Sequence, residues 1–195
     1  ALSLRKANDS TVGQWSAALP GLRALNLYKT QVTDEGLEHL KALIHLRSLN
    51  FAETKVSNQG LENLKGLAQL RRLDFSWSKV NDDGLEHLKS LTQLRYLDLG
   101  GIKVTDERLK HLSGLTQLRD LNLYRTKVTD KGLKHLRGLT ELTDLSLHDT
   151  RVSDAGLKHL KGLTQLRKLG LISTRVTEAG KKALQKHLPN CSISL

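Results

Sequence analysis

Hydrophobic positions recur along this chain with a period of 24 residues. Starting at Leu22, seven segments follow one another without an insertion: 22–45, 46–69, 70–93, 94–117, 118–141, 142–165 and 166–189. A degenerate first repeat, 1–21, precedes them, and a closing half-strand, 190–195, follows them. Self-similarity at a fixed period of this length is typical of solenoids, in which each repeat packs on its neighbours. We therefore expect residues 1–195 to form a single repeat domain.

Each repeat contains two sets of apolar positions with different spacings. The first, fourth and sixth positions read LxxLxL, and this alternation predicts a short strand with one buried face. The sixteenth, nineteenth and twenty-second positions, such as Leu37, Leu40 and Leu43, predict one face of a short helix. A valine occupies the eleventh position of all seven repeats, from Val32 to Val176. The pattern predicts an α/β solenoid with a parallel sheet on one side and short helices on the other.

The polar positions between strand and helix predict where each helix begins and ends. Hydroxyl or amide side chains suited to a helix N-cap occupy the twelfth position. They are Thr33, Ser57, Asn81, Thr105, Thr129 and Ser153. Glycines near the end of the second leucine set are expected to end the helices, as a C-terminal glycine does. They are Gly66, Gly114, Gly138 and Gly162.

The repeat LRxLxLxxTKVTDxGLKHLKGLTQ resembles the 24-residue bacterial type of leucine-rich repeat over essentially the whole chain, and the ending LPNCSI is similar to the ends of such arrays. The resemblance implies a right-handed α/β horseshoe with a parallel sheet on the concave face and short helices on the convex face. It also implies a concave sheet that binds proteins. Many members have an asparagine at the ninth position that bonds backbone groups between repeats. Here hydroxyls are expected to form a similar ladder, without a rung at Ile102.

The two ends of the array differ in polarity. In the last repeat, Lys181 and His187 replace core leucines, which is expected of a polar terminal cap. Leu2 and Leu4 would instead belong to an uncovered edge strand. This difference favours a chain that forms part of a longer protein, or an upstream segment that covers the edge; a poorly capped natural start is the alternative.

The net charge of +11 does not come from the concave sheet. Its outward columns carry four basic and six acidic residues: Lys29, Glu53, Arg72, Asp74, Asp98, Asp120, Arg125, Asp144, Asp149 and Lys168. The cations lie instead in two edge columns. The second position holds Arg23, Arg47, Arg71, Arg95, Arg119 and Arg167, and the tenth holds Lys55, Lys79, Lys103, Lys127, Arg151 and Arg175. These ridges suit solubility and, as an alternative, phosphate binding.

All three tyrosines and one of the two tryptophans face outward from the concave sheet: Tyr28, Tyr96, Tyr124 and Trp77. The fourth repeat is the least regular, because it carries Gly100, Gly101, Ile102 and Arg108. Two adjacent glycines predict a dip in the sheet surface with Trp77 on one side. Aromatic and arginine side chains around such a dip are typical of interface hot spots. The predicted partner-binding residues are Tyr28, Arg72, Asp74, Trp77, Tyr96, Asp98, Gly100, Gly101, Asp120, Tyr124, Arg125, Asp144 and His148.

No motif predicts catalysis or a cofactor. The single cysteine, Cys191, excludes an intrachain disulfide and a cysteine-based metal site. A histidine recurs on the predicted helices, at His39, His87, His111, His135 and His159. We interpret it as structural, because ligands on a convex surface would not converge on a metal.

The sequence therefore predicts a non-catalytic module that binds a protein on the concave sheet around repeats three to five. The alternatives are binding of an anionic polymer, nucleic acid or polysaccharide, through the basic ridges, and a structural segment of a larger bacterial receptor or effector. Nucleic acid is disfavoured, since aromatic platforms are expected in a basic groove. We expect a monomer without a membrane span. A cytoplasmic and a bacterial envelope location both stay open.

Overall fold

Nine short strands form one parallel sheet whose spatial order is the order of the chain, in a computed structural model that describes residues 2–3 and 6–195. The strands are β1 (Leu2–Ser3), β2 (Ala24–Asn26), β3 (Ser48–Asn50), β4 (Arg72–Asp74), β5 (Tyr96–Asp98), β6 (Asp120–Asn122), β7 (Asp144–Ser146), β8 (Lys168–Gly170) and β9 (Ser192–Ser194). This sheet, with short helices on its other side, confirms the predicted α/β solenoid.

Every repeat contributes its strand in the same register. Leu25 is opposite Leu49, and the same pairing of fourth-position residues continues to Leu169 and Ile193. The three leucines of each LxxLxL pattern therefore point to one side, where they meet the helical leucines in a single continuous core. Phe51 and Phe75 take sixth-position sites in this core and stack with ring centroids 5.6 Å apart.

The helical segments are short, and most are 3₁₀. The α-helices are α1 (Asp9–Ala18), α2 (Asp34–Glu38), α3 (Asn58–Glu62) and α4 (Glu178–Gln185). The 3₁₀ segments are His39–Ala42, Asp82–Ser90, Arg108–Leu112, Gly132–Leu136 and Leu157–His159. The spacing of three between the buried leucines explains this preference, because a 3₁₀ helix has three residues per turn.

A ladder of carboxylates joins each repeat to the next one along the solenoid. The thirteenth-position side chain of one repeat accepts hydrogen bonds from the twelfth-position residue of the following repeat. Asp106, for example, accepts from the Thr129 N–H at 2.7 Å and from the Thr129 hydroxyl at 2.6 Å. The pairs are Asp9 with Thr33, Asp34 with Ser57, Asn58 with Asn81, Asp82 with Thr105, Asp106 with Thr129, Asp130 with Ser153 and Asp154 with Thr177.

This carboxylate ladder explains the glycine at the fifteenth position. A Cβ on Gly132 would lie 2.5 Å from Asp106 Oδ1, and a Cβ on Gly60 would lie 2.5 Å from Asp34 Oδ1. Real Cβ atoms do not approach an oxygen so closely, so a side chain here would push the carboxylate out of the ladder. The glycine is needed for this close approach, since its φ is not positive.

Arg108 takes that glycine's place in the fourth repeat, and the ladder is weaker there. Asp82 keeps the bond from the Thr105 hydroxyl at 2.5 Å, whereas a bond from the Thr105 N–H is not formed within the described part of the chain. Arg108 turns outward and forms an ion pair with Asp83 at 2.7 Å. The irregularity that the sequence shows in this repeat therefore reaches the contacts between repeats.

The twelfth-position residues begin the helices of the first three repeats and of the last one, as predicted. In the fourth to sixth repeats the helical segments begin later, after Glu107, Lys131 and Gly156, so the prediction is wrong for Thr105, Thr129 and Ser153. The side chains of Thr33, Asn81 and Thr177 accept a backbone N–H from the first turn. Thr129 and Ser153 accept similar bonds at 3.3 Å. Ser57 makes no such bond, because its hydroxyl donates to Asp34 instead.

One further prediction about polar positions is wrong. The ninth-position hydroxyls do not form a ladder between repeats, because each donates within its own repeat to the carbonyl three residues earlier. Thr30, for example, donates to the Leu27 carbonyl at 2.7 Å. Gly114 and Gly138 directly follow the C-cap residues of 3₁₀ segments, as predicted, whereas Gly66 and Gly162 lie in the turns beyond. None of the four has a positive φ. Ala42 and Ser90 occupy the same position in other repeats.

The end of the array that contains the last repeat is polar. His187 is exposed and Lys181 is half-buried, as expected of substitutions that end the core. At the other end, β1 pairs only with β2, so it is the first strand in the order of the sheet. Leu4, predicted to lie in the same edge strand, falls outside the described residues.

We expect Gly132→Ala to lower the free energy of unfolding by about 1–3 kcal/mol, because the new methyl group would displace Asp106 from the ladder. Urea denaturation followed by circular dichroism measures this change. Gly114→Ala is the control, because a Cβ there meets nothing within 4 Å. Equal midpoints for the two variants would contradict the role of the ladder.

Candidate binding surface on the concave sheet

A left-handed turn follows each of the strands β2 to β8 and sets the direction of the side chains there. The eighth residue of each repeat has a positive φ: Lys29, Glu53, Trp77, Gly101, Arg125, Asp149 and Ser173. Only glycine adopts this conformation without strain, which for other residues costs about 1–3 kcal/mol each. The bond from the ninth-position hydroxyl to the sixth-position carbonyl, as from Ser78 to Phe75 at 2.7 Å, closes the turn and offsets this cost.

Trp77 lies on the surface at this turn, with φ 56° and 46% of its area exposed. Its indole ring does not stand beside an empty dip, as the sequence predicted. The ring lies over Gly101 of the next repeat, where an added Cβ would come within 2.5 Å of the indole Cε2. The space left by Gly101 is therefore filled by Trp77 itself, which corrects the prediction of a gap while keeping Trp77 outside the core.

Two residues of the fifth repeat extend the surface that Trp77 begins. The Tyr124 ring lies 6.3 Å from the Trp77 ring at an interplanar angle of 59°. The Arg125 guanidinium lies 5.5 Å from the Trp77 ring, a cation–π distance, and its Nε is 3.2 Å from Asp149. We call Trp77, Tyr124 and Arg125, together with Gly101 beneath them, the aromatic shelf. It is aromatic and exposed, and the Trp77 ring is held between Gly101 on one side and the Tyr124 and Arg125 side chains on the other.

Two of the predicted contact carboxylates have structural roles. Asp74 accepts the Ser76 N–H at 3.1 Å, and Asp98 accepts the Gly100 N–H at 2.8 Å. Asn50 and Asn122 donate to their second oxygens at 3.0 Å each. In the first five repeats the fifth position thus supplies an acceptor for the turn that follows. Gly100 lies against Asp98, with its added Cβ 3.1 Å from Oδ1.

A groove runs along the sheet beside these residues, from the fourth repeat to the closing strand. Its volume is about 430 Å³, and it is lined by Tyr96, Asp120, Asp144, His148, Lys168 and Ser192, among others. Asp144 forms an ion pair with Lys168 at 3.5 Å. The Asp120 carboxylate forms neither a hydrogen bond nor an ion pair with any residue that the structure describes, although its backbone N–H donates to the Arg95 carbonyl. We call this feature the acidic groove.

Tyr96 forms the wall of the acidic groove toward the fourth repeat. The Arg72 guanidinium lies 4.1 Å from the centre of its ring, and its hydroxyl donates to Asp98 at 3.3 Å. Burial, together with the nearby Asp98 and Asp74 carboxylates, raises the pKa of Tyr96 well above its usual value. Tyr96 therefore stays a neutral hydrogen-bond donor in this wall of the groove.

Two carboxylates of this surface, Asp74 and Asp120, have a raised pKa. Burial raises the pKa of Asp120, and the adjacent Asp144 raises it further, while Arg72 lowers it. Burial also raises the pKa of Asp74, against the hydrogen bonds from Ser76. A cation placed in the acidic groove would relieve this repulsion, because opposite charge favours the ionised carboxylate.

His148 replaces a missing acceptor in the seventh repeat. Gly170 stands at the fifth position there and has no side chain to accept the Ile172 N–H. His148 reaches over Gly170 from the preceding repeat, and its Nδ1 accepts that N–H at 2.9 Å. This bond requires Nδ1 to be unprotonated, so a neutral His148 carries its hydrogen on Nε2.

The structure separates one predicted residue from the others and adds several that sequence reasoning missed. Tyr28 donates to Glu53 at 2.8 Å, and the small residues Ala52 and Ser76 follow in its column before the shelf begins. The acidic groove includes Lys168, Ser146, Ser192 and Ser194, which the sequence did not assign to the site. The sequence contains a signal for this groove, because the fifth position changes from Asn or Asp to the smaller Ser or Gly after the fifth repeat.

The chemistry of the remaining candidates is limited. Burial raises the pKa of the Cys191 thiol to about 11, so it is protonated at neutral pH. Over residues 2–3 and 6–195, there is no group of three or more His, Cys, Asp or Glu side chains placed to hold a metal. His111 of the histidine column is buried in the convex side. Along the same residues, no helix is long and apolar enough to cross a membrane.

Comparisons with known proteins agree with this geometry. A family model described as Leucine Rich repeat matches residues 42–65 and 69–89. No curated protein sequence matches the chain.

Solved bacterial structures share the fold at low identity. Internalin C2 of Listeria monocytogenes is 24% identical, with a TM-score of 0.79, over 99% of this chain and 88% of that one. An internalin F from the same organism is 23% identical, with a TM-score of 0.77, over 91% of this chain and 48% of that one. A leucine-rich repeat protein of Leptospira interrogans is 21% identical, with a TM-score of 0.65, over 99% and 52%. The chain thus spans about half the length of the last two.

We expect Gly101→Ala to lift the Trp77 ring from the sheet, because the new methyl group would overlap it. In a Trp15→Phe background, the emission of Trp77 should shift to longer wavelength and acrylamide should quench it more strongly. Gly100→Ala is the control, since its Cβ faces Asp98 and Asn122. An unchanged spectrum in Gly101→Ala would contradict the packing described.

We expect Asp120→Asn to raise the free energy of unfolding at pH 7, because it removes a carboxylate whose ionised form is disfavoured in the folded chain. A folded-state pKa above the unfolded value means that this cost grows as pH rises through that range. The gain should therefore disappear at pH values below the ordinary aspartate pKa of 3.8. Urea titrations at pH 7 and in acid measure it. Asp149→Asn, at an exposed ion pair, should change stability by about 1 kcal/mol or less.

Proposed function

We propose that this chain, a leucine-rich repeat protein by its repeats and its fold, is a protein-interaction module that binds without catalysis. The bound segment lies on the concave sheet from the third repeat to the closing strand. The observation that carries the proposal is the aromatic shelf beside the acidic groove. A tryptophan is held half-exposed there in a strained backbone conformation, and the Asp120 carboxylate on the same sheet has no ion-pair partner among the described residues.

The aromatic shelf has the properties of an interface hot spot. Tryptophan, tyrosine and arginine are the residues most often found to dominate binding energy, and here they occur together. Contacts with Gly101, Arg125 and each other already order the Trp77 and Tyr124 side chains, so these side chains lose little conformational entropy when a partner binds. This arrangement supports insertion of an apolar or aromatic side chain of the partner against the shelf.

The acidic groove indicates the charge of the partner next to that anchor. Arg125 and Lys168 are already paired with Asp149 and Asp144, whereas Asp120 is not paired within the described residues. A lysine or arginine side chain of the partner would supply the missing charge. The proposed ligand is therefore a protein segment with an apolar anchor near a basic residue.

A library of linear peptides displayed on phage, selected on the immobilised chain, tests this proposal. We expect enriched peptides to combine an aromatic or aliphatic residue with Lys or Arg. Synthetic versions should bind Trp77→Ala at least tenfold more weakly, as a central hot spot requires, and Asp120→Asn should also weaken binding.

The matched control is Ile44→Ala, which removes an exposed apolar side chain outside the concave sheet. It should leave the dissociation constant unchanged, and circular dichroism should show that all three variants are folded. Equal affinity of the peptides for Trp77→Ala and for the unaltered chain would contradict the proposal for this surface.

A further inference from the structure

A row of arginines runs along the edge of the sheet where the strands begin. Arg23, Arg47, Arg71, Arg95 and Arg119 occupy the second position of five consecutive repeats, and we call them the arginine ridge. Each backbone N–H donates to the carbonyl of the preceding arginine, at 2.8, 2.8, 2.8 and 2.9 Å in turn. Their Cα atoms are therefore stacked at the strand spacing of about 5 Å.

The ridge carries uncompensated charge. All five side chains are exposed, and none forms an ion pair with any residue in the described part of the chain. Two residues before Arg71, Arg95 and Arg119 stand uncharged amides, Gln69, Gln93 and Gln117. Five guanidinium groups carried by backbone positions about 5 Å apart repel one another at a surface, and a chain of anions would reduce this repulsion.

The opposite edge has a row of cations but a different setting. Lys55, Lys79, Lys103 and Lys127 occupy the tenth position, at the end of the turn that follows each strand. Three residues further on in each repeat stands a side chain of the carboxylate ladder, such as Asp106 or Asp130. Lysine is also a point charge, whereas a guanidinium binds the oxygens of a sulfate or phosphate in pairs.

We propose that the arginine ridge binds a linear sulfated polysaccharide, laid across the strands so that successive repeats meet successive anionic groups. This surface is distinct from the concave site of the proposed function, because it lies at the other end of the strands from the aromatic shelf. Sequence-independent binding of single-stranded nucleic acid requires aromatic side chains on which bases stack. Among the described residues, Tyr96 directly follows the ridge, and Arg72 covers its ring on the concave side.

The test measures the affinity of the chain for a size-defined, fluorescently labelled heparin oligosaccharide by anisotropy at several salt concentrations. Binding should weaken as salt rises, with a linear dependence of log K on log salt, because counterions are released. The double variant Arg71→Gln, Arg95→Gln should lower affinity by about tenfold or more and flatten the salt slope by roughly two cations.

The matched control removes the same charge from the opposite edge, as Lys79→Gln with Lys103→Gln. It should change affinity by about twofold or less, since only long-range attraction is lost. Circular dichroism of both double variants establishes that they remain folded.

Four results would overturn the proposal. Equal losses in the two double variants would mean that net charge alone attracts the oligosaccharide. Undiminished binding of a desulfated oligosaccharide would exclude sulfate recognition. Equal or tighter binding of single-stranded DNA of similar length would assign the ridge to nucleic acid. Lack of any heparin binding at low salt would likewise reject it.

Discussion

The carboxylate bonds between repeats hold this structure in register. A leucine core by itself permits small slips, because apolar contacts have no direction. The charge-assisted bonds from Thr129 to Asp106, and their equivalents, fix each repeat against the next at one point. Glycine at the fifteenth position follows from that geometry, since a Cβ would occupy the space of the carboxylate. Arg108 shows what happens otherwise: the ladder loses one bond, and the repeat that contains it becomes the least regular.

A second constraint acts where each strand ends. The left-handed turn at the eighth position places one side chain per repeat on the concave rim, at a cost in backbone strain. A hydroxyl at the ninth position and an acceptor at the fifth stabilise this turn in most repeats. His148 takes over the acceptor role where Gly170 cannot. The same turn brings the Trp77 ring onto Gly101 and so assembles the aromatic shelf from two adjacent repeats.

The solenoid separates charge by surface. Carboxylates and aromatic rings share the concave sheet, while the edges carry exposed cations in columns. The two surfaces therefore suit different ligands, a basic protein segment on the sheet and an anionic chain on the arginine ridge. On both surfaces the strand spacing sets the distance between equivalent positions, because a residue that recurs in each repeat recurs about every 5 Å along the sheet.

The 24-residue period by itself determined the strand order, the buried leucines and the outward direction of Trp77, because apolar spacing dictates which face of a strand or helix is buried. Only the tertiary structure decided which polar groups meet across repeats. The sequence assigned the ladder to Thr30 and its equivalents, but those hydroxyls close their own turns, and Asp106 and its equivalents join the repeats. It also left a gap at Gly101 that the Trp77 ring fills. Hydrogen-bond partners and ring positions depend on differences of a few tenths of an ångström in the distances between chain segments. A linear sequence pattern does not contain these distances.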